Sequence, residues 1–145
     1  MTAVVDRVRP RLHPLHAILL SFPIALFSAA LVTDITYLRS AEIQWSNFSA
    51  WLIAGALVFG GLVGAWAIVD LVLAGRRGGR GRTMAYVLIL ALMWVLGLFN
   101  AFQHSRDAWS SVGTTGLVLS ILCTVLALAA GWLAYSAPAV REIAR

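Results

Sequence analysis

The residues able to do chemistry are few and unevenly placed. His13-Pro-Leu-His16 sets two imidazoles one helical turn apart, and Asp34, Asp70, Tyr86, Asn100, His104, Arg106 and Asp107 complete the polar set in or beside long apolar runs. His13, His16 and Asp70 are candidate metal ligands, together supplying three of the nitrogen and oxygen donors that a zinc site takes. A haem held by two histidines needs imidazoles facing each other at one depth. His13 and His16 stand three residues apart on one helix, so they cannot take both axial positions. Asp34, Asp70 and His104 are the groups that would titrate in a proton-coupled transporter. No Ser-His-Asp set or carboxylate pair shares a depth to support hydrolysis. Residues 75–82 (Gly-Arg-Arg-Gly-Gly-Arg-Gly-Arg) lack the Gly-Lys-Ser/Thr ending of a phosphate-binding loop. The single cysteine, Cys123, lies within an apolar run and reads as a packing residue.

The elements that must position these groups are membrane spans. Of 145 residues, 61% are hydrophobic and only 12% charged, about half the charged share of a soluble domain. The apolar residues fall into four long blocks. Helices are predicted at about 14–37, 48–74, 83–103 and 113–135, within a domain spanning 13–136. Residues 1–12 form a basic tail, poorly ordered at its start, and 137–145 a second tail. The first block is longer than a signal-peptide core and no cleavage site follows it before Asp34, so it reads as a retained helix. Pro14 suits a first helical turn. Pro23 falls mid-helix and is expected to kink it, with Ser21 helping to satisfy the freed backbone. Gly60 and Gly64 stand at the Gly-x-x-x-Gly spacing of close helix packing, and Gly116, Ser120 and Gly131 fall on a small-residue stripe of the fourth helix.

All eleven basic residues are arginine, and the net charge is +5. Nine lie in the tails and the middle loop, against Arg39 and Arg106 in the first and third loops. That bias places both termini in the cytoplasm and accounts for the charge without nucleic acid. Depth follows. His13, His16, Asp70 and Tyr86 share a cytoplasmic-side layer, where His16 and Asp70 are expected to hydrogen-bond across helices. Asp34, Asn100, His104, Arg106 and Asp107 gather on the periplasmic side, with His104 expected to be solvated. His16 and Asp34 share one face of the first helix, roughly 27 Å apart at 1.5 Å per residue. That gap is too wide for direct proton or metal sharing.

His13-Pro-Leu-His16, Phe22-Pro23-Ile-Ala, Asp34, the segment from Gly64 to Asp70, Leu98-Phe99-Asn100 with Arg106-Asp107, and Gly116-Leu-Val-Leu-Ser120 through Gly131-Trp132 occur here in order. The set resembles a bacterial membrane-protein family catalogued as domain of unknown function 2231, over about Leu12 to Val140. The resemblance implies four inner-membrane helices and no established activity. Relatives linked to redox domains imply an electron-transfer neighbourhood. Family members typically carry a histidine about where this chain has Tyr86, a poorer metal ligand; the change favours a hydrogen-bonded cluster over a metal site.

Together these readings predict an all-α membrane protein, an antiparallel four-helix transmembrane bundle of the bacterial inner membrane. The expected role is non-enzymatic: an accessory or structural partner of a membrane assembly, such as a respiratory one, contacting the lipid bilayer and other subunits. The alternatives are a metal- or haem-binding redox protein using the His/Asp cluster, and a small proton-coupled transporter. No cofactor is called for, with haem or a divalent metal left open.

Overall fold

The computed structural model describes residues 6–9, 12–74, 80–106, 112–136 and 140–143. Four helices fill almost all of this: α1 (Pro14–Ser40), α2 (Ile43–Ala74), α3 (Arg80–His104) and α4 (Thr114–Tyr135). Each is long and apolar enough to cross a membrane. Each packs on its neighbour in sequence, and α4 closes the ring onto α1. The result is an antiparallel four-helix bundle.

Sequence spacing explains the packing. The buried positions run His16, Leu20, Pro23, Phe27, Ala30, Asp34 and Tyr37 on α1, and Ser46, Ser49, Ile53, Ala56, Gly60, Val63 and Ala67 on α2. On α3 they are Tyr86, Leu90, Met93, Gly97, Asn100 and His104, and on α4 Gly116, Ser120, Cys123, Ala127 and Ala130. Steps of three and four alternate throughout. This heptad spacing keeps one seam of each helix turned inward as the helices wrap left-handedly. Many seam residues are small, while Leu15, Ile18, Val58, Leu62, Val72 and Phe102 are exposed. Large apolar side chains outside and small ones inside suit a helix bundle solvated by lipid.

The helix ends differ from the expected ones in informative ways. Residues 38–47, read as a loop, shrink to a turn at Ala41 and Glu42. Ala41 adopts the left-handed conformation (φ 56°), and its N–H closes α1 by bonding the Tyr37 carbonyl at 2.8 Å. Starting α2 at Ile43 brings Ser46 and Ser49 onto the buried seam. At the other end of α1, the His13 Nδ1 caps the helix by accepting from the Leu15 N–H at 3.2 Å, with Pro14 in the first turn. Pro23 lies inside α1 without ending it, and its ring packs toward Gly60. Ser21 donates to the Ile18 carbonyl, one residue short of the Leu19 carbonyl that Pro23 leaves without its helical donor.

An even number of spans returns both tails to one end of the bundle. There β1 (Asp6–Arg9) pairs antiparallel with β2 (Val140–Ile143), with Arg7 opposite Glu142 and Val8 opposite Arg141. The sequence reading, which gave the tails no strand, missed this ribbon because four residues on each side carry too little pattern to separate from coil.

Glycines set the closest helix approaches. A Cβ at Gly97 would stand 2.9 Å from Phe27 Cζ and 3.0 Å from Leu57 Cδ2, and one at Gly131 would stand 2.7 Å from Ile24 Cδ1. Gly60 lies against Met93 Cε, whereas a Cβ at Gly64 would meet nothing within 4 Å. The Gly60–Gly64 pair is therefore not a two-point contact within the bundle. Helix α2 advances 400° over four residues, but α3 follows only the seam through Gly60.

Candidate functional site

Among the described residues, the largest buried polar group is a single layer drawing on all four helices. Asp34 from α1 is fully buried at its centre. His104 Nε2 lies 2.9 Å from Asp34 Oδ1, and Ser49 of α2 donates to the same oxygen. Ser120 of α4 donates to Asp34 Oδ2 at 2.5 Å and accepts from Asn100 Nδ2 at 2.9 Å. Thr33 Oγ1 stands 2.6 Å from Ser49 Oγ. Thr124 ties the layer to its neighbours, lying 3.0 Å from the Phe27 carbonyl and 2.8 Å from the Ser120 carbonyl.

Hydrogen counting fixes the protonation of the centre. His104 Nδ1 lies 2.9 Å from the Asn100 backbone carbonyl, which can only accept, so Nδ1 carries a hydrogen. The Nε2···Oδ1 contact then holds one further proton, on either side. Whichever side holds it, the His104–Asp34 pair is neutral overall. Removing that proton would set two lone pairs against each other and leave a buried negative charge. Adding another would leave a buried positive charge. Either state is costly in this setting, while the neutral pair is not. The centre is built to keep one proton.

The cluster around His16, at the end of the bundle where α1 begins, is smaller. His16 Nε2 and the Tyr86 hydroxyl meet at 2.9 Å, both buried, joining α1 to α3. The Trp66 ring lies edge-on to His16 at 5.5 Å and tilted to His13 at 5.4 Å. Asp70 is exposed, and among the described residues no hydrogen bond joins it to His16; Tyr86 takes the place expected of it. Asp70 is the next position of the three-and-four spacing after Ala67, but α2 is no longer buried from Ile68 onward at this end, and Asp70 is exposed with it. With His13 Nδ1 capping α1 and His16 Nε2 bonded to Tyr86, the three candidate metal ligands do not converge. No group of three His, Cys, Asp or Glu suited to a metal occurs among the described residues. Removing the Tyr86 hydroxyl leaves His16 Nε2 buried without a partner. Tyr86→Phe is expected to cost about 1–3 kcal/mol in bundle stability, read from unfolding in mixed micelles. A loss indistinguishable from zero would show that the pair contributes nothing.

The group expected around Asp34, at the opposite end of the bundle, also changes membership. Asp34, Asn100 and His104 meet in the layer. His104, expected to be solvated, is buried at 6% exposure, because the last turn of α3 still lies on the seam. Arg106 is exposed, just past the end of α3, and takes no part in the layer. Asp107 lies outside the described residues. Ser120, read as a packing residue, is a hydrogen-bond hub. Ser49, Thr33 and Thr124 were not singled out. Ser49 becomes visible once the Ile53–Ala56 seam is extended four residues back; the two threonines carry no comparable signal. Of the remaining packing residues, Gly116 and Gly131 are buried on α4.

A closed four-helix membrane bundle with polar layers hydrogen-bonded across its helices is the class this fold and layer define. Within that class the chain belongs to the family described as "predicted membrane protein (DUF2231)", whose model matches residues 12–140. Comparison with curated proteins and with solved structures gives no match.

Proposed function

We propose that the protein is a non-enzymatic accessory subunit of a larger membrane assembly, folded as a rigid bundle around the Asp34 layer. One observation carries the reading: both Asp34 carboxylate oxygens and both His104 ring nitrogens are engaged within the chain. The carboxylate and the imidazole at the centre of that layer are held by partners within the chain, while the outer surface is free for lipid and partner helices. Extraction in a mild detergent is expected to give a complex larger than the bundle, and deletion of the chain is expected to deplete that complex. A lone bundle whose deletion leaves every other membrane complex unchanged would contradict the proposal.

The same proposal places the chain in a bacterial cytoplasmic membrane with both tails inside, on the strength of the arginine bias. In a Cys123→Ala background, a cysteine placed at Gly78 is expected to react with an impermeant thiol reagent only after the cytoplasmic face is opened. One placed at Glu42 is expected to react in intact cells. The reverse pattern overturns the topology.

A second reading, proton-coupled transport, draws support from the proton held between His104 and Asp34. The redox reading has less support, because its candidate ligands do not converge.

A further inference from the structure

We infer that the Asp34 layer is a binding site for one small monovalent cation of the sodium class, taken up in exchange for the proton that Asp34 shares with His104. The observation that points to a ligand is Asn100 Oδ1. Asn100 is fully buried, yet this oxygen has no hydrogen-bond partner among the described residues. Its orientation is imposed by the layer. Ser120 has one hydroxyl hydrogen, and Asp34 Oδ2 receives it, so Asn100 must present its NH2 group to Ser120 Oγ. The amide oxygen is thereby held in the layer as an acceptor without a donor, an arrangement that costs free energy when nothing occupies it.

The surrounding atoms are hard oxygen donors. They are the Asp34 carboxylate, the hydroxyls of Thr33, Ser49 and Ser120, and Asn100 Oδ1. Oxygen donors of this kind suit alkali and alkaline-earth cations rather than softer metals. Two hydroxyls can release their lone pairs, because their hydrogens have other acceptors in reach. Ser49 Oγ lies 3.2 Å from the Ala30 carbonyl, and Thr33 Oγ1 lies 3.1 Å and 2.9 Å from the Ala29 and Ala30 carbonyls.

Charge selects the valence. The layer is neutral with one proton in the Nε2···Oδ1 contact. Replacing that proton by one monovalent cation leaves Asp34 as carboxylate, His104 as a neutral ring protonated on Nδ1, and the layer neutral again. The proton leaves to solvent. A divalent ion would leave an uncompensated positive charge in the bundle. The titratable groups facing Asp34 among the described residues are His104 from α3, Tyr37 one turn away on α1 and Cys123 one turn from Ser120 on α4; the facing seam of α2 presents only serine and apolar residues.

The test is proton release from the full chain in weakly buffered detergent solution on adding sodium chloride, against choline chloride at equal ionic strength. Sodium is expected to release about one proton per chain and choline none. Asn100→Leu is expected to raise the sodium concentration at half release at least about tenfold. Asp34→Asn is expected to abolish release. If that variant fails to fold, nitrogen-15 NMR of the wild-type chain decides: sodium is expected to leave His104 Nε2 bare and Nδ1 protonated. Equal release with choline, or a His104 spectrum unmoved by sodium, overturns the inference.

Discussion

Asp34→Leu is expected to destabilise the bundle by about 3–5 kcal/mol, because it leaves His104 buried with its charge or its lone pair uncompensated. The effect should be specific to the broken pair. Replacing both partners, Asp34→Leu with His104→Leu, removes the buried ionisable groups together. An apolar substitute for a buried pair is often neutral or better. Ser49 and Thr33 can turn to the Ala30 carbonyl, which both already reach. The double variant is therefore expected to recover most of the loss. Unfolding in mixed micelles, taken round the four corners of this mutant cycle, checks it. A double variant that costs the sum of the two single ones would mean that the groups are not coupled.

Gly97→Ala should be the most damaging of the small-to-larger changes, at about 1–3 kcal/mol. The added Cβ meets Phe27 Cζ at 2.9 Å and Leu57 Cδ2 at 3.0 Å, so α3 is crowded against α1 and α2 together. Phe27 is fully buried and cannot swing away. At Gly131 the obstacle is the terminal methyl of Ile24, the far end of a flexible side chain, so Gly131→Ala is expected to cost less. Gly64→Ala meets open space and should fall within about 0.5 kcal/mol of the wild-type chain. The same unfolding measurement orders the three; Gly64→Ala proving worse than Gly97→Ala would contradict the packing described for the seam.

The sequence carried most of the bundle and part of the site, for physical reasons that can be separated. Long apolar blocks fix the spans because few structures can satisfy a backbone in lipid. The inward faces of α1 and α3 follow from helical angles: His16 with Asp34, and Tyr86 with Asn100 and His104. Which polar groups meet across helices is less legible. Asp70 and Tyr86 both stand on the inward spacing of their helices at the right depth to reach His16, and only the exposure of α2 beyond Ala67 decides for Tyr86. Ser49 was hidden by reading Ser46-Asn47 as loop. Polar residues near a helix start serve equally well as turn, cap or seam, and only the partner helix separates these roles. Gly60–Gly64 shows the reverse error, a motif with the right spacing of which one member faces no helix.

The central claim is that His104 and Asp34 share one proton, with the Asn100 carbonyl holding the other ring hydrogen in place. Nitrogen-15 NMR of the histidine rings in the wild-type chain, reconstituted in lipid without sodium, tests it most directly. His104 Nδ1 is expected to be protonated throughout the pH range in which the bundle stays folded. Its Nε2 resonance is expected to shift when Asp34→Asn removes the carboxylate. A His104 ring protonated on Nε2 alone, with a bare Nδ1, would contradict the account.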